Sequence, residues 1–457
     1  MIESERNLAA LCAQGDPSAE QELYLRYAAR IHAVCRRYAD NAEDALDLMH
    51  DAFIKAFDKI PAFRYSGEGS LYAWLRRMTI NLALDRIRRK RIRKILYIWP
   101  AYTGDEPRTR MFWPEGMGEW QSVKSAEAKF PGHTWPRKPL WGYVNEADPA
   151  VMEMEIGQAL SHGVNVFIYD WYWYDRRPFL ENCLNDGFLK AKNCQDMKFH
   201  LMWANHDANT LWDKRISSSV NTVIWQGAQP FDEFRRAMTR VIERYFTQPN
   251  YYTIDGKPVF MIYDVPNLVK GLGGVDQAKR AIAWFREACA RQGLKGLHLQ
   301  FTMWSERATN VSGVDGGRDI PASQFGSLGF DSCSHYQFVH FTDIDRDYEA
   351  ALPDVAAEWA RLEREFPFPY FPHVSMGWDN NPRFTTFRPG IMKNCSPQAV
   401  EKALRMARDW ADAHPEQPPL VTLNSWNEWT ETSYLQPDDL YGYGYLDAVK
   451  RVFLEDA

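Results

Sequence analysis

Eight short apolar runs, each followed by a helical pattern, limit this chain more than any other feature. The runs are ILYIWPA (95–101), VNVFIYDWYW (164–173), FHLMWAN (199–205), PVFMIYD (258–264), LHLQFTMW (297–304), DSCSHYQ (331–337), YFPHVSMGW (370–378) and LVTLNSWNEW (420–429). The intervening patterns predict helices over 149–161, 179–192, 232–246, 275–291, 345–366, 397–414 and 446–454. Two of them open on Asp148-Pro149 and Ser396-Pro397, a capping residue followed by proline at the first helical position. Continuous apolar strands are buried on both faces, which implies a parallel sheet covered by helices. Eight such units over residues 95–457 fit an α/β fold, the (β/α)8 TIM barrel with long loops. The competing architecture is an open doubly wound sheet, but no GxGxxG follows the first strand.

Residues 1–94 read differently, as a small all-α domain. Asp16-Pro17 starts a helix with Leu23, Tyr27, Ile31 and Val34 at helical spacing. A second helix spans 41–59, with Leu46, Met49, Phe53, Ala56 and Phe57 as its expected buried stripe. A Gly-containing loop precedes a third, 70–93, which closes in RIRRKRIRK. Residues 1–95 carry 17 Lys and Arg against 13 Asp and Glu, whereas the rest of the chain is net acidic, and 17 of the 18 tryptophans lie beyond Trp74. Such contrast predicts two domains with different partners, 1–94 and 95–457. Seven cations in nine residues, from Arg86 to Lys94, exceed what a helix C-terminus needs and suit phosphate.

No stretch approaches the ~18 to 20 apolar residues of a membrane span. The N-terminus MIESERNLAALCAQGDPSAEQ lacks the apolar core of a secretion signal. The seven cysteines are scattered and form no CxxC, which reads as buried free thiols in a reducing compartment. The expected location is cytoplasmic, with no membrane partner. His and Asp show no metal spacing, so no metal and no cofactor are expected.

Barrel sites lie where strands end and loops begin. Here those ends are aromatic and polar: Asp170-Trp171-Tyr172, Asn205-His206, Tyr263, Tyr336, Trp378-Asp379, and Asn427-Glu428-Trp429-Thr430-Glu431, with Tyr434 just beyond. Aromatic faces stack on the C–H faces of sugar rings and polar ends bond hydroxyls, so an oligo- or polysaccharide is the expected substrate. Glycosidic cleavage needs one protonated carboxyl and one ionised carboxylate. Glu428 and Glu431 supply a pair three residues apart, whose proximity pushes their pKa values apart.

Longer motifs sharpen both readings. DLMHDAFIKAFDKIPAF, a loop, and GSLYAWLRRMTINLALDRIRRKR resemble region 2 of the sigma-70 family in its extracytoplasmic-function branch, over residues 8–93. The resemblance implies RNA polymerase core and promoter DNA as partners, with Tyr65, Tyr72, Trp74, Arg76, Arg77, Asn81, Arg88 and Arg89 near nucleic acid, where aromatics stack on unpaired bases and cations hold phosphates. Nothing after Lys94 resembles the second, helix-turn-helix domain of those factors. In the larger part, WPAYTGDEPR, PLWGYVNEADPAVMEMEI, FHLMWANHD, VSMGWDNNPR and SWNEWTETSYLQPD together resemble the glycoside hydrolase family 99-like group, which includes WbsX-type glycosyltransferases. That resemblance implies Glu428 and Glu431 as catalytic. Glu428 would assist the sugar 2-hydroxyl in forming a 1,2-anhydro sugar, and Glu431 would be the acid/base, with net retention. The aromatic and polar strand ends named above are the expected substrate contacts. Thr432 stands where family 99 proper commonly has Gly. Three functions compete: a retaining hydrolase of an α-mannoside-like or related polysaccharide, a glycosyltransferase of polysaccharide biosynthesis, and a transcription initiation regulator whose barrel senses sugar.

Overall fold

The computed structural model describes residues 4 to 455 except 40, 105, 220 and 304–324, and it leaves the side chains of 88–91 undescribed. The chain divides into two compact units, one ending at Arg91 and the other spanning Ile92–Glu455.

The first unit holds α1 (Glu5–Cys12), α2 (Pro17–Cys35), α3 (Ala42–Lys59) and α4 (Ser70–Arg91). Asp16 caps α2 by accepting from the N–H groups of Ser18 and Ala19, and Asn41 caps α3 through Asp44. Leu23, Tyr27 and Ile31 meet Met49, Phe53, Leu71 and Leu75 in one core. Leu46 departs from expectation: it is 44% exposed, and Leu48 takes the inward position instead. The buried Glu5 carboxylate ties the unit together. It accepts from the Tyr27 hydroxyl at 2.6 Å and from the N–H groups of Gly69 and Leu71, so a helix-α1 acid satisfies the otherwise open N-terminus of α4.

The second unit is the expected (β/α)8 barrel. Its strands are β1 (Arg93–Ile98), β2 (Val166–Tyr174), β3 (Lys198–Trp203), β4 (Lys257–Ile262), β5 (His298–Thr302), β6 (Ser332–Ser334), β7 (His373–Ser375) and β8 (Leu420–Asn424). All pair in parallel in chain order, and β8 returns to β1. A parallel bridge between Cys333 and Tyr370, just before β7, completes the ring. The period-2 alternation of each strand sorts its residues. Tyr97, Ile168, Met202 and Met261 fill the interior, while Leu96, Phe167, Leu201 and Phe260 face the helices. Those helices include α5 (Pro149–Ser161), α6 (Phe231–Val241), α7 (Val275–Arg291), α8 (Tyr348–Glu365), α9 (Pro397–Ala413) and α10 (Gly444–Lys450).

The expected helix over 179–192 is absent. Arg177–Phe179 folds back on β2 as an antiparallel strand, and short π and 3-10 turns follow from Cys183 to Lys190. Asp175, Arg176 and Leu180 all have positive φ, so the backbone turns twice in a stretch whose composition alone would allow a helix. Among the described residues, no helix is long and apolar enough to cross a membrane.

Candidate active site

A narrow cleft opens at the C-terminal ends of the strands. Its lining comes from Trp99 after β1, Asp170 and Tyr172 on β2, His206 and Trp212 after β3, Tyr263 after β4, Tyr336 after β6, Trp378, Asn380, Arg383 and Phe384 after β7, and Glu428 and Glu431 after β8. Of the residues the sequence singled out, Asp170, Tyr172, His206, Tyr263, Tyr336, Trp378, Glu428 and Glu431 share this cleft.

Five others do not line it. Trp171 follows Asp170 on a strand and so points outward, where its indole N–H donates to Glu181 at 2.7 Å. Asn205 exchanges hydrogen bonds with the backbone of Asp264 and fixes the start of the β4 loop. Asn427 accepts from the Trp99 N–H at 2.7 Å and donates to the Trp99 carbonyl and to Glu146, which staples β8's end to β1's. Tyr434 stacks on Trp429 with ring centres 3.8 Å apart and donates to Asp438. Asp379 accepts from the His133 ring at 2.6 Å. Because His133 Nδ1 accepts the Lys129 N–H, its Nε2 carries the proton that Asp379 receives.

Arg383, which composition did not mark as special, sits at the centre. Its Nη1 donates to Glu431 Oε1 at 2.6 Å, Nη2 to Glu428 Oε1 at 2.7 Å, and Nε to Glu119 Oε1 at 2.9 Å. The other Glu119 oxygen accepts from the Trp99 indole N–H. One largely buried cation, its side chain 13% exposed, thus faces three buried carboxylates, with Asp170 a fourth nearby. Burial works against the Arg383 charge, but Glu119, Glu431 and Glu428 outweigh it and hold its pKa well above the usual range. Burial, then the Glu431 charge, pushes Glu428 well up, against Arg383. Burial also raises Glu431, again opposed by Arg383. Asp170 is raised well above the carboxylate range by burial and by Glu431, although the Tyr336 hydroxyl bonds it. That hydroxyl lies 2.9 Å from Asp170 Oδ2 and 3.3 Å from Glu428 Oε2, so it bridges the two acids. Burial lowers His206, against the hydrogen bond to the Asp207 carbonyl.

The guanidinium grips one oxygen of each glutamate. Glu431 Oε2, Asp170 Oδ1, Asn380 Oδ1 and the Trp378 indole N–H have no hydrogen-bond partner among the described residues, though all are buried. Buried polar atoms are rarely left open unless a ligand or water completes them. No group of three or more His, Cys, Asp or Glu among the described residues is placed to hold a metal ion.

The geometry behind the pair is as specific. Thr432 adopts φ 56°, ψ 32°, the left-handed conformation that favours glycine. Its hydroxyl accepts from the Trp135 indole and donates to the Asp379 carbonyl, which holds a non-glycine residue there. Gly377 makes room for this turn, since a β-carbon on it would lie 2.7 Å from the Thr432 carbonyl oxygen.

On the first unit, Tyr72, Arg76, Arg77 and Asn81 share one shallow concavity along α4. Tyr72 is held by the Arg30 guanidinium, 3.5 Å from its ring centre, and stacks on Tyr27. Tyr65 donates to Glu68 at 3.3 Å. Trp74 lies half-buried against Phe63 at the edge of the core, with ring centres 5.1 Å apart. The side chains of Arg88 and Arg89 lie outside the described residues.

Ring and cleft define a (β/α)8-barrel protein with a carboxylate-lined site at the face where such barrels carry their chemistry. Residues 100–449 match the family described as Glycosyltransferase WbsX, and the chain belongs to that family. Residues 23–92 match Sigma-70 region 2. The uncharacterized protein WxcX of Xanthomonas campestris pv. campestris is 27% identical over 366 residues, covering 76% of this chain and 47% of WxcX, so the chain spans about half the length of that relative. The extracytoplasmic-function sigma factor SigM of Mycobacterium tuberculosis is 34% identical over 86 residues, 19% of this chain and 43% of SigM. Among solved structures, a glycoside hydrolase-like protein superposes with TM-score 0.52 at 16% identity, covering 79% of this chain and 94% of its own. The GH99 endo-α-mannosidase of Bacteroides thetaiotaomicron in complex with bis-tris-propane gives TM-score 0.52 at 13% identity, covering 79% and 96%. At these identities the likeness establishes the fold alone, a (β/α)8 barrel.

Proposed function

We propose that the barrel is a retaining glycoside hydrolase, acting on an α-mannoside-like or related polysaccharide through Glu428 and Glu431, and that the first unit associates with RNA polymerase and promoter DNA. The observation that carries the hydrolase reading is the set of open oxygens. Arg383 orients one oxygen of each glutamate, and Glu431 Oε2 and Asp170 Oδ1 are left buried and without a hydrogen-bond partner among the described residues. A gap that one guanidinium spans suits the closely spaced carboxyls of retaining enzymes, ~5 to 5.5 Å apart, better than the ~6.5 to 9.5 Å of inverting ones.

The family's description favours a second reading, sugar transfer from a nucleotide donor. Charge argues against it. A diphosphate in this cleft would meet the acids Asp170, Glu428 and Glu431, while Arg383, the one Lys or Arg lining it among the described residues, is already committed to three carboxylates. A neutral glycan meets no such repulsion. Burial raises both Glu428 and Glu431 and Arg383 opposes both; the resemblance gives Glu428 the base's role and Glu431 the acid's. Aryl glycosides with good leaving groups separate the two assignments, because they bypass the acid and rescue only the variant that lost it.

The test is a screen of the purified full chain against α-mannosides and related polysaccharides, followed by Glu428→Gln and Glu431→Gln. Each variant should lose ~10² to 10⁴ in rate while staying folded. A 2-deoxy substrate should resist cleavage if the sugar's own 2-hydroxyl attacks, and a trapped glycosyl ester on either glutamate would rule that route out. If both variants cleave like the parent, the assignment is wrong.

A further inference from the structure

Two exposed phenylalanines meet on segments connected to the cleft. Phe130 belongs to the long segment between β1 and α5, and Phe387 to the segment after β7; they are 41% and 50% exposed. Their rings meet edge-to-face with centres 5.7 Å apart. Phe130 also stacks on the His133 ring at 4.6 Å, and His133 is the residue that donates to Asp379. The Asp379 N–H in turn donates to the Glu431 carbonyl at 2.8 Å. A short path of contacts therefore leads from the candidate pair to this aromatic surface. On the other segment, Asn380, Arg383 and Phe384 line the cleft and Phe387 lies three residues farther on.

Both segments are pinned. Lys129 Nζ donates to the Thr385 carbonyl at 3.1 Å, and Thr385 is bonded through its hydroxyl and its N–H to Ser218. Single exposed apolar side chains are ordinary. Phe130 covers one face of the His133 ring, but neither phenylalanine belongs to the apolar cores, so the fixed pair presents aromatic surface to solvent beside a segment whose Asn380, Arg383 and Phe384 line the cleft. Aromatic surface beside polar lining is what a glycan requires, with ring C–H faces on the aromatics and hydroxyls on the polar groups.

We propose that Phe130 and Phe387 form an additional sugar subsite beside the cleft, stacking on the apolar face of a further unit of the same glycan chain that occupies the cleft. The proposal rests on the glycan reading given above. It makes the enzyme one that grips a chain, with affinity that rises when the glycan is long enough to reach from Glu431 to Phe387.

The experiment uses the full chain carrying Glu431→Gln, to prevent turnover, and titrates it with α-mannan and β-1,3-glucan fragments of increasing length by calorimetry. Dissociation constants should fall at the length that reaches the platform. Phe387→Ala and Phe130→Ala should each remove about tenfold of that gain, the scale of one aromatic contact, and Phe387→Tyr should keep it. If the gain with length survives in both alanine variants, or if short fragments bind and length adds nothing, the subsite is wrong while the function stands. If no fragment of any length binds, the subsite falls together with the glycan reading.

Discussion

The hydroxyl of Thr432 donates to the carbonyl of Asp379 at 2.8 Å, and the Asp379 N–H donates to the carbonyl of Glu431 at the same distance. The residue after the second glutamate is thus locked to the loop after β7, and the lock sits in a backbone conformation natural to glycine. Thr432→Gly should therefore keep the turn and most of the activity, because relief of backbone strain offsets the lost hydroxyl bonds. Thr432→Val keeps the strain and loses the bonds. It should cost about 1 to 3 kcal/mol in a urea melt and lower kcat by displacing Glu431. Equal stability of the two variants would contradict this account.

Arg383 lowers the pKa of both glutamates against the burial that raises them. Arg383→Met should cost about 3 to 5 kcal/mol at neutral pH, because three buried carboxylates lose their counterion. The cost should shrink at pH 5, where the carboxylates can take up protons. Arg383→Lys keeps a charge but cannot bridge three partners. In that variant both carboxyls should titrate at higher pH, so the limb of the kcat/KM profile on which rate rises with pH moves upward. A profile that does not move would show that Arg383 leaves the pair's ionisation unaffected.

Behind Asn427, Glu146 and Glu155 are fully buried with no cation beside them among the described residues. Asn427 and Gln436 donate to Glu146, and Gln436 and Trp426 to Glu155. Burial raises Glu146 to about 8 from 4.5. A carboxyl raised on folding stabilises fully below its unfolded value and loses that contribution as pH climbs through the folded one. Thermal stability should therefore decline between pH ~4.5 and ~8. Glu146→Gln, neutral at every pH, should flatten the decline by ~1 kcal/mol or more, about 2 °C or more in Tm. Parallel curves for parent and variant would show that Glu146 is already ionised.

Arg76 and Arg77 are exposed on α4 and share a concavity with Tyr72 and Asn81. Alanine at either should weaken binding to promoter DNA in the presence of RNA polymerase, and should reduce the log–log salt slope by about one phosphate contact each. Tyr72→Ala should weaken binding at every salt concentration alike, since stacking releases no counterions. Loss of salt dependence in Tyr72→Ala would contradict this division of labour.

The strands were legible because continuous apolar runs survive any loop chemistry, and α5 was legible to the residue because Asp148-Pro149 marks its start. The 179–192 segment was misread because Leu180's positive φ is imposed by the fold-back against β2, a tertiary event with no local signature. Leu46 was misread by choosing one apolar stripe where α3 offers two, and only the packing of α2 selects Leu48. In the site, strand ends announced the aromatics and both glutamates. The alternation that sends Trp171 outward follows from Asp170 pointing inward, so that error was avoidable. Arg383 was not legible: its partners lie 45, 48 and 264 residues away, and only the closed ring brings them together.

The candidate pair rides on the strand that closes the ring. β1 waits for β8 as its neighbour, and Trp99 at the end of β1 waits for Asn427. During synthesis the first seven barrel strands are made without either, so a nascent chain carries an open sheet edge and no pair until the stretch from Leu420 to Glu431 has left the ribosome. Closure of the ring and assembly of the site are thereby timed together: a chain truncated before β8 has a broken barrel and an incomplete site at once.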